Sequence, residues 1–206
     1  MKEFSYIVDQ FADLQILRYQ VPGFENLSLR QKQLLYHLSE AALMGRDILF
    51  DQNGRYNLVI RRTLEAVYQY GTVDKSSVDY QAFEVYLKRV WFANGIHHHY
   101  GEDKFIPGFS EAFFDAAVRS VDVSLLPLKA GETVDTLLAR LKPVIFDPTV
   151  MPKRTVQSGD TDWIQASANN YYGEDVTQAE VEAFYGKMKA EGDSRCPLSY
   201  GLNSRL

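Results

Sequence analysis

The stretch DYQAFEVYLKRVWFA, residues 79–93, decides the fold class because its apolar residues recur with the period of an α-helix. This spacing predicts a helix from Asp79 to Ala93 that has one buried face. The residues expected on that face are Phe83, Tyr86, Leu87, Val90 and Trp91. An amphipathic helix is stable only when its apolar face is covered, so neighbouring segments must pack against it.

Two helices are predicted before this stretch. The first begins near Ser28, because Ser28 and Gln31 can form a capping box, and it runs to Asn53–Gly54. Its expected apolar face consists of Leu34, Leu35, Leu38, Ala41, Ala42, Gly45, Ile48 and Leu49. The second runs from Tyr56 to Tyr70, with Leu58, Leu64 and Val67 inward, and Gly71 ends it. Three consecutive helices with short links predict a packed helical layer.

Three further helices are predicted after residue 108. One starts at Ser110 and carries Phe113, Phe114, Ala117 and Val118. Another extends from Thr133 to Lys142, where Pro143 is expected to stop it. Thr177 and Glu180 can form a second capping box, which predicts a helix through Phe184 to about Ala190.

Strands are expected at Trp163–Ala168 and at Leu198–Leu206, and residues 4–24 read as an extended arm on the body. The predicted class is therefore α+β, mainly α, with a helical layer and a few strands. We divide the chain into an arm (1–27), a helical body (28–146) with a loop at 94–108, and a mixed segment (147–206). Residues 147–159 are expected to be an irregular connection.

Composition excludes some classes of partner. The formal net charge is −5 and the longest basic runs are pairs, which argues against nucleic acid as a ligand. Cys196 is the only cysteine, so an intrachain disulfide is impossible. No stretch approaches the roughly 20 apolar residues of a membrane span. The compartment stays open between cytoplasm and periplasm.

The loop at 94–108 contains three adjacent histidines, His97, His98 and His99. Neighbouring side chains on an extended chain point to opposite sides, so at most two of them can face one ion. Zinc sites use three or four protein ligands, and the only other soft donors are Cys196 and His37. We therefore predict no metal ligands in this chain and interpret the histidines as polar loop residues.

The same loop has two other interpretations. Turn residues flank the histidines, and a long ordered loop with aromatic and imidazole side chains suits substrate contacts. It suits a buttress between helices equally well. In Asn169–Gly173, amides and phenols can bind a peptide backbone, but a turn that leads into the Thr177 helix is the favoured interpretation.

Searches for catalytic motifs fail. The sequence contains no His-Glu-x-x-His run, no Gly-x-Ser-x-Gly elbow, no phosphate loop and no dinucleotide fingerprint. Cys196 has no adjacent histidine that could activate it as a nucleophile. No catalytic residue is predicted in this chain.

Several stretches resemble the dipeptidyl peptidase III family of zinc exopeptidases. They are Leu38–Arg46, Tyr80–Tyr86, Trp91–Tyr100, Asp103–Pro107, Asn170–Gly173 and Tyr200–Leu206, and the block Asn94–Pro107 is the most specific. The family's members are two-lobed enzymes that remove dipeptides from the N-terminus of short peptides. Their zinc is held by a His-Glu-x-x-Gly-His motif and a later Glu-Glu-x-Arg-x-Glu motif, and neither occurs here.

The resemblance implies that this chain is the N-terminal, cleft-forming lobe of such an enzyme. It assigns zinc and the general base to a C-terminal remainder, and it implies no cofactor in this chain itself. Tyr100 stands where the family has an aromatic residue that lines the cleft, and His99 and Asn94 are further candidates for contact with the peptide substrate. Two other hypotheses stay open: a stand-alone peptide-binding or scaffold protein, and a small metal-binding protein that uses His97–His99.

Overall fold

The computed structural model describes residues 4–157 and 159–191, and the described residues divide into two compact units, the first ending at Ile48 and the second beginning at Leu49. The predicted strand at 198–206 and Cys196 lie outside the described residues. The class is α+β, mainly α, as the periodicity predicts. Among the described helices, none is long and apolar enough to cross a membrane.

The first unit begins with a β-hairpin where an extended arm was expected. Strand β1 (Ile7–Phe11) pairs antiparallel with β2 (Leu14–Leu17), and Phe11 lies opposite Leu14. The turn between them places Ala12 at a φ of 48°. This left-handed conformation normally calls for glycine or asparagine. With alanine at this position the turn lacks the usual glycine or asparagine signal, and the hairpin was missed.

The first predicted helix is confirmed at its start and divides before its expected end. Helix α1 spans Leu29–Met44, and Ser28 and Gln31 form the capping box that the sequence predicts. Gly45 ends α1, and α2 (Arg46–Asn53) continues the chain. No residue of α1 is buried, so the burial expected for its apolar face is not observed.

The second unit has a core built from four helices: α3 (Asn57–Tyr70), α4 (Val78–Ala93), α5 (Glu111–Arg119) and α6 (Val134–Phe146). Helix α3 packs against α4 and α5, and α5 packs against α6. Fully buried core residues include Ile60, Leu64, Phe83, Leu87, Phe114, Leu137 and Leu141. A packed helical layer is thus present, but it consists of α3 to α6, and α1, the first helix predicted to form it, contributes no buried residue. Its aromatic centre is Phe83, which contacts the rings of Phe109 and Phe113.

One residue that was predicted to lie on the buried face of α4 is not buried. Phe83, Tyr86, Leu87 and Val90 are buried, but Trp91 is 37% exposed. Its indole Nε1–H donates to Glu65 Oε1 at 2.9 Å, and its ring meets Tyr68 edge-on. Trp91 lies one position beyond Val90 and so is rotated about 100° from the core face. An indole tolerates this border position because it has a polar edge.

Pro143 does not stop α6, contrary to the prediction. The helix continues to Phe146 with Pro143 inside it, and Val144 and Ile145 are buried. A proline inside a helix costs about 3 kcal/mol. Burying a Val or Ile side chain contributes about 1.5–3 kcal/mol each, which is enough to offset that cost.

The segment Trp163–Ala168 is not a strand. Trp163–Ala166 forms a short helix, α7, whose N-cap is Asp162. The Asp162 carboxylate accepts hydrogen bonds from the backbone N–H of Gln165 and from that of Gln178. The second capping box is confirmed, since Thr177 and Glu180 bond each other before α8 (Gln178–Glu191). Apart from residue 158, which is not described, the connection at 147–159 has no helix or extended ladder.

Candidate functional site

The loop at 94–108 starts with two residues that turn the chain sharply out of α4. Asn94 caps the helix in the left-handed conformation (φ 54°, ψ 42°), and its backbone N–H donates to Val90. Its carbonyl accepts from Asn53 Nδ2 at 3.1 Å. Gly95 follows at φ 152° beside the side chain of Asn57. Asn94 therefore lies at the base of the loop, where its backbone has a structural role.

Beyond this base, residues 97–104 form a tight hairpin. His97 pairs with Lys104 in an antiparallel bridge, and Phe105 N–H donates to the Ile96 carbonyl at 2.8 Å. Nearer the tip, His98 N–H donates to Asp103 and Glu102 N–H donates back to His98. These bonds fix the backbone on both sides of the apex.

His97 points into the protein and is only 2% exposed. Its Nε2 lies 2.9 Å from the Met151 carbonyl, which can only accept, so the neutral ring carries its proton on Nε2. Nδ1 is buried and has no hydrogen-bond partner among the described residues. Burial lowers the pKa of His97, and the Met151 hydrogen bond opposes that shift only in part.

His98 and His99 lie nearer the surface and form part of an aromatic stack. His98 Nδ1 accepts from the backbone N–H groups of Tyr100 and Gly101, at 3.2 and 2.9 Å. The His98 and His99 rings stack at 4.6 Å, and the His99 ring lies 4.3 Å from Tyr100. The Phe92 ring also contacts the His99 ring in an edge-on geometry. The pKa of His99 is lowered by partial burial and by the nearby charges of His98 and Arg154.

Tyr100 stands at the apex and is 85% exposed. An exposed ring at the apex of an ordered loop is accessible to a ligand. The structure therefore brings two of the three predicted contact residues, His99 and Tyr100, together at the apex, while Asn94 lies at the base. The base of the loop is buried, as the buttress interpretation expects, and its tip is exposed to solvent.

Sequence reasoning missed two cations, Arg154 and Lys104, that tie this loop to neighbouring segments. Arg154 Nη2 bonds Glu102 Oε1 at 2.8 Å and also reaches the His99 carbonyl at 3.4 Å. The hydrogen bond from Arg154 lowers the pKa of Glu102. The Lys104 ammonium donates to the backbone carbonyls of Val144, Asp147 and Val150. No local pattern marks either cation, since their partners lie about 40 to 55 residues away.

A cleft of about 430 Å³ begins next to Arg154, at Thr155. Its walls combine aromatic and hydrogen-bonding side chains: Thr155, Gln157, Trp163, Ser167, Asn169, Tyr171 and Tyr172. Asn169 Nδ2 donates to Thr155 Oγ1 at 3.3 Å, so this amide supports the cleft wall. Trp163 is 38% and Tyr171 50% exposed. Rings and amides in one cleft suit a peptide, which offers both side chains and backbone polar groups.

The described residues hold no group of three or more His, Cys, Asp and Glu side chains arranged as metal ligands. A scan against models of known protein families finds no match, and a search of the curated proteins finds no similar sequence.

The buried position of His97 predicts how stability changes with pH. The pKa of His97 is lowered in the folded state from its ordinary value of 6.5, so the unfolded chain binds this proton more readily. The stability that the neutral His97 ring contributes is fully present above about pH 6.5, and it is lost as the pH falls towards the pKa of His97 in the folded state. We expect the free energy of unfolding to fall over this range, as measured by urea titration at successive pH values.

Two variants isolate that effect. His97→Gln keeps an amide donor for the Met151 carbonyl and removes the titrating ring, so it should flatten the pH dependence below 6.5. His37→Gln, at an exposed position on α1, should leave the wild-type slope unchanged. An unchanged slope in His97→Gln would show that the ring does not titrate across unfolding.

Proposed function

We propose that this chain is the N-terminal, cleft-forming lobe of a zinc-dependent dipeptidyl peptidase that removes dipeptides from the N-terminus of short peptides. The observation that carries the proposal is the apex of the 94–108 loop, where Tyr100 is exposed on a backbone fixed from several sides. The resemblance of Asn94–Pro107 to the dipeptidyl peptidase III family supports it at the same residues.

In this proposal the chain binds and positions substrate, and the remainder of the parent chain breaks the bond. Bound zinc polarises the peptide carbonyl and activates water, and its ligands belong to the remainder. Tyr100 offers a flat, half-apolar surface to a peptide side chain, the His99 ring lies against it, and Phe92 in turn contacts His99. A facing lobe that closes over the peptide excludes water and fixes its register.

The first test is genetic and enzymatic. The coding sequence after the codon for Leu206 should continue in frame to a His-Glu-x-x-Gly-His motif, and the complete protein should cleave a dipeptidyl-naphthylamide until zinc is chelated. The 206-residue chain alone should hydrolyse nothing. A native stop codon at that point, or chelator-resistant cleavage by the chain alone, would refute the proposal.

The second test concerns Tyr100. In the complete protein, Tyr100→Ala should lower kcat/KM for the dipeptidyl-naphthylamide about tenfold, mainly through KM, because it removes a ring that binds the peptide. Steady-state kinetics measure this change.

Tyr19→Ala is the matched control, because Tyr19 is 74% exposed and lies in the other unit. Its kcat/KM should equal that of the wild type. If Tyr100→Ala retains wild-type kinetics, the apex does not contact substrate and the assigned contact is wrong.

The second candidate function is a stand-alone peptide-binding or scaffold protein. The cleft at Thr155–Tyr172 favours it, since Trp163, Tyr171 and the amide of Asn169 lie in one concave surface. In that case the 206-residue chain alone binds tetrapeptides, with a change in tryptophan fluorescence that Trp163→Phe removes. A native stop codon after Leu206 together with such binding would favour this second function over the first.

A further inference from the structure

A pocket of about 370 Å³ in the second unit lies apart from the histidine loop and from the cleft at 155–172. We call it the arginine pocket because four cationic side chains line it: Arg55, Arg62, Lys129 and Arg140. Two carboxylates, Asp51 and Glu174, also line it. Cations thus outnumber carboxylates in the wall, although the whole chain carries a formal net charge of −5. Glu132, which bonds Arg140 but does not line the pocket, offsets one of these cations, and a small excess of positive charge remains to attract anions.

Arg140 is held in place by Glu132, a carboxylate that does not line the pocket. Arg140 bonds Glu132 Oε1 through Nε and Nη2, at 2.9 and 2.7 Å, and the Glu132 side chain is only 10% exposed. Glu132 also accepts from the backbone N–H of Lys129 at 2.9 Å. The same carboxylate therefore fixes the Arg140 guanidinium and the backbone at Lys129, which preorganises this part of the wall.

Arg55 is the cation with donors to spare. Its Nη1 lies 2.5 Å from Glu174 Oε1, while its Nε is buried with no hydrogen-bond partner among the described residues. The partner is a weak one, because the Glu174 side chain is 74% exposed and an exposed ion pair contributes little. A ligand that carries more acceptor oxygens and more negative charge than a carboxylate can compete with Glu174 for this guanidinium.

The remaining wall is apolar. Leu58, Val59 and Pro127 line the pocket, together with the ring of Tyr56. The volume exceeds what a lone inorganic anion fills and falls within the range of small-molecule sites. Cations on one part of the wall and apolar groups on another suit a ligand with an anionic head and an apolar body.

We propose that the arginine pocket binds a phosphate monoester of a small apolar molecule. Phosphate fits better than carboxylate, because a monoester carries a charge of about −1.5 to −2 and three acceptor oxygens, which match several cations at once. Guanidinium groups bind such oxygens in a planar, two-point geometry. This site is independent of the proposed peptidase role, and neither depends on the other.

The experiment measures binding to the 206-residue chain by calorimetry at low ionic strength, with phenyl phosphate, inorganic phosphate and benzoate as probes. Phenyl phosphate should bind saturably at one site, and both other probes should bind several times more weakly. Arg62→Gln with Lys129→Gln should weaken phenyl phosphate binding about tenfold, since it removes two exposed cations from the wall. Glu174→Gln should instead tighten binding, because it frees Arg55 from its competitor.

The control is Lys187→Gln, which removes the same charge from an exposed position on α8 and should leave the affinity unchanged. If the double variant folds poorly, Glu174→Gln still tests the proposal. A purely structural role for the Arg55–Glu174 ion pair predicts no gain in affinity in that variant. Absence of saturable binding, equal binding of all three probes, equal weakening by Lys187→Gln, or no gain in Glu174→Gln would each overturn the proposal.

Discussion

Replacing Gly95 with alanine should lower the free energy of unfolding by about 3 kcal/mol, because both the backbone and the space around Gly95 exclude a side chain. A Cβ at this position lies 2.3 Å from Asn57 Nδ2, and φ is +152°. Asn57 is 1% exposed and cannot move without cost, since its Oδ1 accepts the backbone N–H of Ile96 at 3.2 Å. Displacing it leaves that buried N–H unsatisfied, which costs about 1–3 kcal/mol.

Gly131→Ala separates the two causes. Gly131 also has a positive φ, +77°, but a Cβ there meets nothing within 4 Å. It should therefore cost about 1 kcal/mol from backbone strain alone. Trp91 and Trp163, the two tryptophans of the chain, both lie in the second unit, so their fluorescence in a urea titration reports the unit that contains both glycines. Equal losses in the two variants would contradict the steric argument at Gly95.

Replacing Lys104 with methionine should lower the free energy of unfolding by about 2–3 kcal/mol. The ammonium bonds the carbonyls of Val144 at 3.0 Å and Val150 at 2.6 Å, and it bonds that of Asp147 as well. These carbonyls lie at the C-terminal end of α6 and just after it, where the helix has no further N–H groups to offer. A positive charge at this end also suits the helix dipole. Methionine keeps the length of the side chain and removes every donor.

Lys153→Met tests whether any nearby lysine has the same effect. Lys153 pairs with Asp103 at 3.1 Å, but the two side chains are 49% and 68% exposed. An exposed pair of this kind contributes only about 0.2–1 kcal/mol. In chemical denaturation, Lys104→Met should therefore have a much lower free energy of unfolding than Lys153→Met. A loss in Lys104→Met no larger than in Lys153→Met would show that water replaces the ammonium at these carbonyls.

Local signals predicted the helices well. Ser28 with Gln31 and Thr177 with Glu180 form the capping boxes that the sequence indicates, because both partners lie within one helical turn. The face of α4 follows equally from the spacing of Phe83, Leu87 and Val90, all of which are fully buried. Such features depend on residues three or four positions apart, and a sequence displays that distance directly.

Local rules failed where a distant contact outweighed them. Pro143 should end α6, yet burial of Val144 and Ile145 carries the helix past it. Trp163–Ala168 has the composition of a strand, yet Asp162 caps a helical turn there and ties it to Gln178. Ala12 adopts a left-handed turn conformation that normally calls for glycine or asparagine.

The candidate site divides in the same way. The sequence by itself determined the helical class and the ends of several helices. Only the tertiary structure decided that His97 turns inward while Tyr100 projects outward, and that Arg154 and Lys104 hold the loop between them. The physical reason is distance along the chain: caps and helical faces arise from near neighbours, whereas the direction of a loop side chain depends on segments about 40 to 55 residues away.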